Sequence, residues 1–414
     1  MLRMLACVVA LCASPHVVFA QDPELTRLRE ELKALLQRVQ ELEKRLDERR
    51  AAAPPPPARG ASESAFNPGI TLILQGTAAR SSRDPETYEI TGFAPSGGEV
   101  GPPRRGFGLG ESELVVAGNI DPYFRGQLVA ALTPEDELEV EEAFFQTLGL
   151  GRGFTVKGGR FLSAIGYQNE IHSHAWDFAD APLAYKAFLG GRLNDDGVQL
   201  RWVAPTDLLV ELGTEAGRGR SFPGSDRERN GANMWSAFAH LGGDLGESAW
   251  RVGLSHLRTA PRERSFDDIA FSGRSRLWIA DAVIKWRTFK LQGEYFRRRE
   301  AGELAFDVLS GDYASRQSGW YAQAVYGFMP RWRVGYRYDR LDHGSVTDAS
   351  GIDAPVLLTP HDPTRHSVMV DWSPTEFSRL RFQLASDKSR AGVTDRQALI
   401  QYIFSLGAHG VHRF

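Results

Sequence analysis

The chain has 414 residues, with 49 basic and 52 acidic side chains, a formal net charge of −3 and a pI of about 6.4. This balance excludes the strongly basic surface with which nucleic-acid-binding proteins neutralise phosphates. Its only two cysteines, Cys7 and Cys12, lie close to the N-terminus.

Residues 1–20 have the organisation of a secretory signal peptide, in which the basic Arg3 precedes an apolar stretch that ends at Ala20. A membrane anchor or a buried helix is the alternative. It is disfavoured because Ser-Pro-His at 14–16 interrupts a run that is short for a span of about 20 residues. Cleavage after Ala20 would remove both cysteines. The mature chain is then expected to have no disulfide, no cysteine-ligated metal and no cysteine nucleophile.

Residues 21–50 contain a heptad repeat. Its apolar positions are spaced alternately by three and four residues: Leu25, Leu28, Leu32, Leu35, Val39, Leu42 and Leu46. This seam predicts a periplasmic coiled-coil helix through which subunits associate, while a single amphipathic helix packed on its own domain is the alternative. Four consecutive prolines then make residues 51–65 a stiff Pro/Ala-rich linker.

From residue 69 onward, alternating apolar and polar segments are separated in turn by short turns and longer loops. The segments predicted as strands are 69–80, 107–120, 123–132, 137–149, 154–166, 195–204, 208–217, 233–243, 249–259, 275–286, 289–301, 318–328, 331–342, 364–372, 378–387 and 395–406. An even strand count with turns at one end and long loops at the other is typical of outer-membrane barrels. The predicted fold class is therefore all-β, with an antiparallel transmembrane β-barrel of about 16 strands at residues 66–414, after the coiled-coil helix.

The stretch RWRVGYRYDRL at 331–341 shows how the faces of this barrel divide. Trp332, Val334, Tyr336 and Tyr338 share one parity and are expected to face lipid, which puts the arginines in the lumen. An aromatic girdle is expected beside the short turns, from Trp286, Tyr326, Phe328, Trp332 and Trp372. A soluble β-sandwich is the alternative, but it would need further elements to cover this aromatic surface.

The inward parity carries many charges. The residues predicted to line the pore are Arg125, Lys157, Arg201, Lys285, Arg331, Arg333, Arg337, Arg379, Arg381, Glu111, Glu113 and Glu139. The strands at 107–120 and 137–149 are rich in acids, whereas those at 331–342 and 378–387 are rich in arginine. Opposed charges would create a transverse field, and a solvated lining of paired charges is the alternative.

The signal peptide, coiled coil, proline linker, strand count and terminal Phe414 together resemble the phosphate-selective porins of the O and P type. The resemblance implies a homotrimer whose third long loop, here residues 167–194, folds into the pore. It also implies anion selectivity from a ladder of lumenal cations, to which Arg331, Arg333, Arg337, Arg379 and Arg381 could contribute. The acidic lumen positions depart from such a ladder.

The same loop contains a cluster of nitrogen and oxygen donors that suits a divalent metal such as zinc: His172, His174 and Asp177, with Glu170 and Asp180 nearby. Hydrogen bonds from these histidines to neighbouring strands are the alternative. No other cofactor is predicted.

The sequence as a whole predicts a Gram-negative outer-membrane porin that lets small solutes, with anions as a candidate class, diffuse passively through a charged lumen. Its expected partners are membrane lipid, its own copies and those solutes. The alternative is a receptor or structural anchor with a plugged barrel, linked to uptake of zinc or another metal. No enzyme is predicted, because neither a GxSxG elbow nor an HExxH helix occurs.

Overall fold

The computed structural model describes residues 68–97, 100–134, 136–226 and 230–407, together with Arg38, which is helical. The predicted signal peptide, the seven heptad residues, the linker and Phe414 lie outside the described residues. Within those residues, no helix is both long and apolar enough to cross a membrane.

The described chain forms one antiparallel sheet of eighteen strand segments. These are β1 (Gly69–Ser81), β2 (Gly106–Leu109), β3 (Ser112–Asn119), β4 (Phe124–Leu132), β5 (Leu138–Thr147), β6 (Phe154–Leu162), β7 (Asn194–Val203), β8 (Leu209–Gly217), β9 (Met234–Leu245), β10 (Ser248–Thr259), β11 (Arg264–Phe266), β12 (Ile269–Trp286), β13 (Phe289–Phe306), β14 (Leu309–Met329), β15 (Trp332–Asp348), β16 (Thr364–Thr375), β17 (Ser378–Lys388) and β18 (Asp395–Gly407). The helices are α1 (Leu183–Leu189) and α2 (Pro355–Leu358), and single 3-10 turns occur at Pro85–Thr87 and Ser173–Ala175.

The sheet closes into a barrel because β1 pairs with β18 on one side and with β2 and β3 on the other. β2 and β3 are two parts of one barrel strand, and β11 is a short strand that pairs only with the start of β12. Sixteen strands therefore build the barrel wall, which confirms the predicted fold of this part of the chain.

The two faces of the wall divide as the alternation predicts. On β15, Trp332 and Tyr336 are exposed on the outside, while Arg337 and Asp339 are fully buried on the inside. The five aromatic residues predicted for the girdle are all exposed near the short turns, and the rings of Trp332 and Trp372 stack at 5.8 Å. A continuous apolar outer surface of this kind is what a bilayer requires.

The strands at one side of the barrel are longer than predicted. Residues 303–317 were expected to form a long loop, but β13 continues to Phe306 and β14 begins at Leu309. The extension is stabilised by Leu304 and Tyr313, which are buried in a cluster with Phe271. The predicted loops at 260–274 and 343–363 are shortened in the same way, because β12 begins at Ile269 and β15 continues to Asp348.

Two irregularities interrupt the ladder where the wall is acidic. Between the pairs Gly76↔Leu109 and Ile73↔Glu113, the strand formed by β2 and β3 holds one extra residue. Between the pairs Ala130↔Val140 and Val129↔Glu142, β5 holds Glu141 as an extra residue. Each insertion shifts the parity that follows it, as β-bulges do.

The core of the protein lies inside the barrel. Residues 163–193, named the inward loop from here on, carry α1, every residue of which is buried. The helix ends at Gly190, which has a φ of 67° and so takes the left-handed conformation that favours glycine. Phe188 packs against Phe93 of the first long loop and against Phe296 of the wall, with ring centroids 5.8 and 6.0 Å away.

Candidate functional site: the lumen and its inward loop

The inward loop is anchored on the wall through one buried carboxylate, Glu294 on β13. Glu294 accepts hydrogen bonds from the backbone N–H groups of Tyr167 and Gln168, each at 3.1 Å. The hydroxyls of Tyr185 and Tyr321 donate to it at 2.9 and 2.6 Å. A carboxylate that accepts several bonds at once holds a backbone segment rigidly, so the start of the loop and α1 are fixed to the same point.

Beyond this anchor, the loop meets an acidic part of the wall, named the acidic patch and made of Glu111, Glu113, Glu141 and Glu142. His174 Nδ1 lies 3.0 Å from Glu113 Oε1. His172 Nδ1 lies 3.1 Å from Glu113 Oε2 and 3.3 Å from Glu141 Oε2, while its Nε2 lies 3.2 Å from Glu142 Oε2.

Burial alone would lower the pKa of His172, but the carboxylates of Glu113, Glu141 and Glu142 outweigh it and hold that pKa well above its usual range. At the other end of the loop, Arg192 donates to both Glu111 and Glu141. The acidic patch therefore receives cationic or polar groups from two points of the loop.

The loop meets a basic part of the wall next, named the basic patch and made of Lys290, Arg333, Arg337, Arg365, Arg379 and Arg381. Asp177 accepts from Lys290 Nζ at 2.9 Å and from Arg333 Nη1 at 3.0 Å. Asp180 accepts from Arg337 Nη2 at 3.0 Å and pairs with Arg365.

The pKa values of the two loop carboxyls reflect these contacts. Burial would raise the pKa of Asp177, but Lys290 and Arg333 lower it to about 2. Burial likewise opposes the effect of Arg365 and Arg337 on Asp180, whose pKa nevertheless falls well below its usual range. The loop thus presents histidines to acids and aspartates to bases.

A cavity of about 710 Å³ occupies the short-turn half of the lumen. It is lined by wall residues of β1, β3 to β8 and β10, and by the inward loop as its roof. In the long-loop half, segment 90–94 and α1 pack against the wall instead, and Gln317 Nε2 donates to the carbonyl of Gly92 at 2.6 Å. The cavity is therefore a vestibule at one end of the barrel.

The residues predicted to line the pore divide into three groups. Four of them face the vestibule: Arg125, Lys157, Arg201 and Glu113. Six others point inward without facing it: Glu111, Lys285, Arg333, Arg337, Arg379 and Arg381. Of these, Arg337 and Arg381 are completely buried in ion pairs.

Two predicted positions differ from expectation. Arg331 does not lie in the lumen wall, because it occupies the turn between β14 and β15 with a φ of 71°. Glu139 lies opposite Ala131, near the long-loop end of β5, and is exposed away from the vestibule.

The predicted metal ligands are only partly brought together. His172 and His174 lie side by side, with ring centroids 5.7 Å apart. Asp177 is not with them, because its carboxylate is held by Lys290 and Arg333. Glu113 takes its place, and its carboxylate and the two imidazoles bring one donor atom each to within 4.8 Å of one another.

Sequence reasoning missed several residues of the site: Glu142, Arg192 and Arg365. An unbroken alternation from Glu139 would put Glu142 on the outer face, but the bulge at Glu141 turns it inward. Arg192 lies at the end of a loop, where no alternation predicts a direction. The predicted transverse field would need acidic and basic strands on opposite sides of the barrel, whereas only β18 and β1 stand between the arginine-rich β17 and the acidic β3 in the closed ring.

Comparisons with known proteins agree with this architecture. A protein of Aquifex aeolicus (strain VF5), described as an uncharacterized protein, is 32% identical over 386 residues, which cover 85% of this chain and 81% of that protein. No protein-family model matches the chain.

Three solved structures illustrate the likeness in fold. The trimer form of OmpT from Vibrio cholerae has a TM-score of 0.55 at 10% identity, and covers 82% of this chain and 99% of its own. An anion-selective porin from Comamonas acidovorans has a TM-score of 0.54 at 11% identity, with 82% and 99% covered. The outer membrane channel DcaP of Acinetobacter baumannii has a TM-score of 0.53 at 11% identity, and the match covers 82% of this chain and 97% of that one. The chain belongs to the same family as the Aquifex aeolicus protein, and its fold is that of a porin-like β-barrel.

Proposed function

We propose that the protein is an outer-membrane channel through which small solutes, anions in preference, diffuse passively. The observation that carries this proposal is the charge balance of the vestibule. Each of its four acids has a basic partner: Glu113 and Glu142 face the loop histidines, Glu170 pairs with Arg201, and Glu211 pairs with Arg201 and His240.

Three vestibule cations, Arg125, Lys157 and Arg251, have no ion pair among the described residues. Arg251 Nη2 donates to the carbonyl of Gly166 at 3.3 Å, and Lys157 lies over the rings of Phe144 and Phe161. Ion preference in a channel follows the local sign of the lining charge, so the positions of these three cations, which lack a paired acid, favour anions.

The arginine ladder suggested by the resemblance is a weaker basis for selectivity. Arg333, Arg337 and Arg381 each pair with aspartates of the wall or the inward loop. Their charge is neutralised where the loop covers them. We therefore place phosphate among the anions to be tested, and we assign the preference to the vestibule cations.

The cellular setting belongs to the same proposal. The apolar outer face and the porin-like fold support the outer membrane of a Gram-negative bacterium. Subunits would associate as a homotrimer through the barrel and through the heptad residues Leu25 to Leu46, with the N-terminal helix in the periplasm. The trimer form of OmpT from Vibrio cholerae supports an assembly of three subunits.

The test is the conductance of the purified full-length protein in a planar lipid bilayer. We expect stepwise currents and, in a KCl gradient, a reversal potential of the sign that chloride preference produces. The double variant R125Q/R251Q should shift that potential toward zero. The variant R287Q, which removes a cation from an exposed short turn, should leave it unchanged.

One observation favours a second function, that of a receptor or structural anchor with a plugged barrel. The first long loop and α1 fill the long-loop half, where Phe93 and Phe188 are completely buried. A well-inserted protein that carries no current would support this function and contradict the channel.

A further inference from the structure

We propose that Glu113, Glu141, His172 and His174 form a binding site for one divalent cation, with Zn²⁺ as the preferred metal. The site lies where the inward loop meets the acidic patch, and Glu113, His172 and His174 also line the vestibule. A cation could therefore reach it from the cavity. This inference goes beyond the channel proposal, because it holds whichever solute crosses the barrel.

One donor atom each from Glu113, His172 and His174 lies within 4.8 Å of the other two, and shifts of these side chains would bring the atoms to the ligand spacing of a tetrahedral metal. Glu113 provides one oxygen 3.0 Å from His174 Nδ1 and the other 3.1 Å from His172 Nδ1. Glu141 Oε2 lies 3.3 Å from His172 Nδ1. In a zinc site with bonds of about 2.0–2.1 Å, neighbouring ligand atoms of a tetrahedron stand about 3.3 Å apart.

Three of these atoms are buried and accept or donate no hydrogen bond: Glu113 Oε2, Glu141 Oε2 and His172 Nδ1. The side chain of Glu113 is completely buried, and that of Glu141 is 8% exposed. Glu113 Oε2 and Glu141 Oε2 both lie close to His172 Nδ1, but neither is aligned with it as a hydrogen bond requires. Buried polar atoms are rarely left in this state, and a cation at their common point would contact all three.

The surroundings resemble those of a metal-bound histidine. The other nitrogen of His172, Nε2, lies 3.2 Å from Glu142 Oε2. Glu142 is itself held by Gln127 Nε2 at 2.9 Å and by the backbone N–H of Leu162 at 3.1 Å. A carboxylate that fixes the ring of a ligating histidine in this way is a regular feature of zinc sites.

The donor types select the metal. Two imidazoles with two carboxylates suit zinc, whereas calcium and magnesium prefer oxygen ligands alone. The charge also fits, because Arg192 pairs with only two of the four acids of the patch, Glu111 and Glu141. A bound cation would fasten the inward loop to the wall at this point.

The proposal is tested by titrating chelator-treated, detergent-solubilised full-length protein with ZnCl₂ in a calorimeter. We expect one tight site per chain. The variants H172Q/H174Q and E113Q should bind zinc at least 100-fold more weakly. E142Q, which alters only the group that orients His172, should weaken binding about 10–100-fold.

A matched control is H409Q/H412Q, which removes two histidines near the C-terminus and should bind zinc as the wild type does. X-ray absorption of the zinc-loaded wild type tests the ligands without depending on whether any variant folds. It should show two imidazoles and oxygen ligands at about 2.0–2.1 Å. Absence of binding by the wild type, undiminished binding by H172Q/H174Q, or a spectrum without imidazole would each overturn the proposal. Any of them would leave a protonated His172 as the partner of the three carboxylates.

Discussion

Asp177 Oδ1 of the inward loop lies 3.0 Å from Arg333 Nη1 on the barrel wall. Three residues earlier in the chain, His174 contacts Glu113 on another part of that wall at 3.0 Å. The loop therefore changes the sign of its side chains as the wall beneath it changes sign. This complementarity keeps the loop inside the barrel and leaves the unpaired cations in the vestibule.

The ion pairs of Asp177 can be broken by the substitution Asp177→Asn. We expect the free energy of unfolding to fall by about 3 kcal/mol. This value is at the lower end of the range for breaking a buried ion pair, because the side chain of Arg333 is 32% exposed. Lys290 would also lose its counter-charge and Arg333 would keep only Asp371, so anion preference should rise. Thermal unfolding in detergent and the reversal potential measure the two effects. The exposed turn residue Glu376 provides the control E376Q, and equal effects of both variants would contradict the assignment.

Acid should weaken the same contacts. Because the pKa of Asp177 is lowered to about 2 in the folded protein, against about 3.9 in an unfolded chain, its contribution is complete above pH 4. It is lost as the pH falls through 2. Between pH 7 and 5 Asp177 stays ionised, and we expect it to cause no change in the unfolding temperature. Between pH 4 and 2 its protonation should lower the unfolding temperature.

The variant D177N should show a smaller drop over that acidic interval than the wild type. Asp180, whose pKa is also lowered, remains in the variant and should preserve part of the drop. Parallel curves for the two proteins would show that Asp177 has no part in the acid transition.

The apolar anchor of α1 depends on Phe188, which is completely buried between Phe93 and Phe296. Phe188→Ala should cost about 3–5 kcal/mol, because the cavity it leaves is enclosed by the wall and the first long loop. Hydrogen exchange of residues 183–189 should accelerate accordingly. Phe107 is 97% exposed, so F107A should change neither exchange nor stability. Unchanged exchange in F188A would mean that the polar anchors alone hold the helix.

The outer face is tested by Phe382→Arg in the middle of β17. Phe382 points away from the lumen and is exposed, so its replacement should place a charge in the hydrocarbon and cost about 2–4 kcal/mol. The same change at Phe377, beside a short turn, should cost only about 0–1 kcal/mol. Urea unfolding in phospholipid vesicles measures both. Equal costs would argue against a lipid-facing β17.

The barrel could be predicted from the sequence because its signal is local. Trp332, Val334, Tyr336 and Tyr338 alternate with charged residues over one strand, and that pattern predicts both the strand and its faces. The prediction was wrong at 303–317, where a turn of two residues replaces a long loop. Nothing local distinguishes strands that end at the membrane from strands that continue beyond it. Leu304 and Tyr313 are buried by a cluster that includes Phe271 of the neighbouring strand and Ile352 and Leu357 of a later loop.

The candidate site could be predicted only in part. The pair His172 and His174 was recognised because its spacing is short, and Glu113 was placed in the lumen by its parity. The third metal donor was assigned to Asp177, which is near in sequence, instead of Glu113, which is near in space. Glu142 was lost because the bulge at Glu141 reverses the parity of β5.

By itself, the sequence determined that the described chain is a closed antiparallel barrel with an apolar outside and a charged inside, because side-chain alternation is a property of each strand alone. Only the tertiary structure decided which charges remain available in the lumen. Ring closure leaves only two strands, β18 and β1, between β17 and β3, and the inward loop pairs with both parts of the wall. Such pairings depend on distances between residues far apart in the chain, which no local pattern encodes.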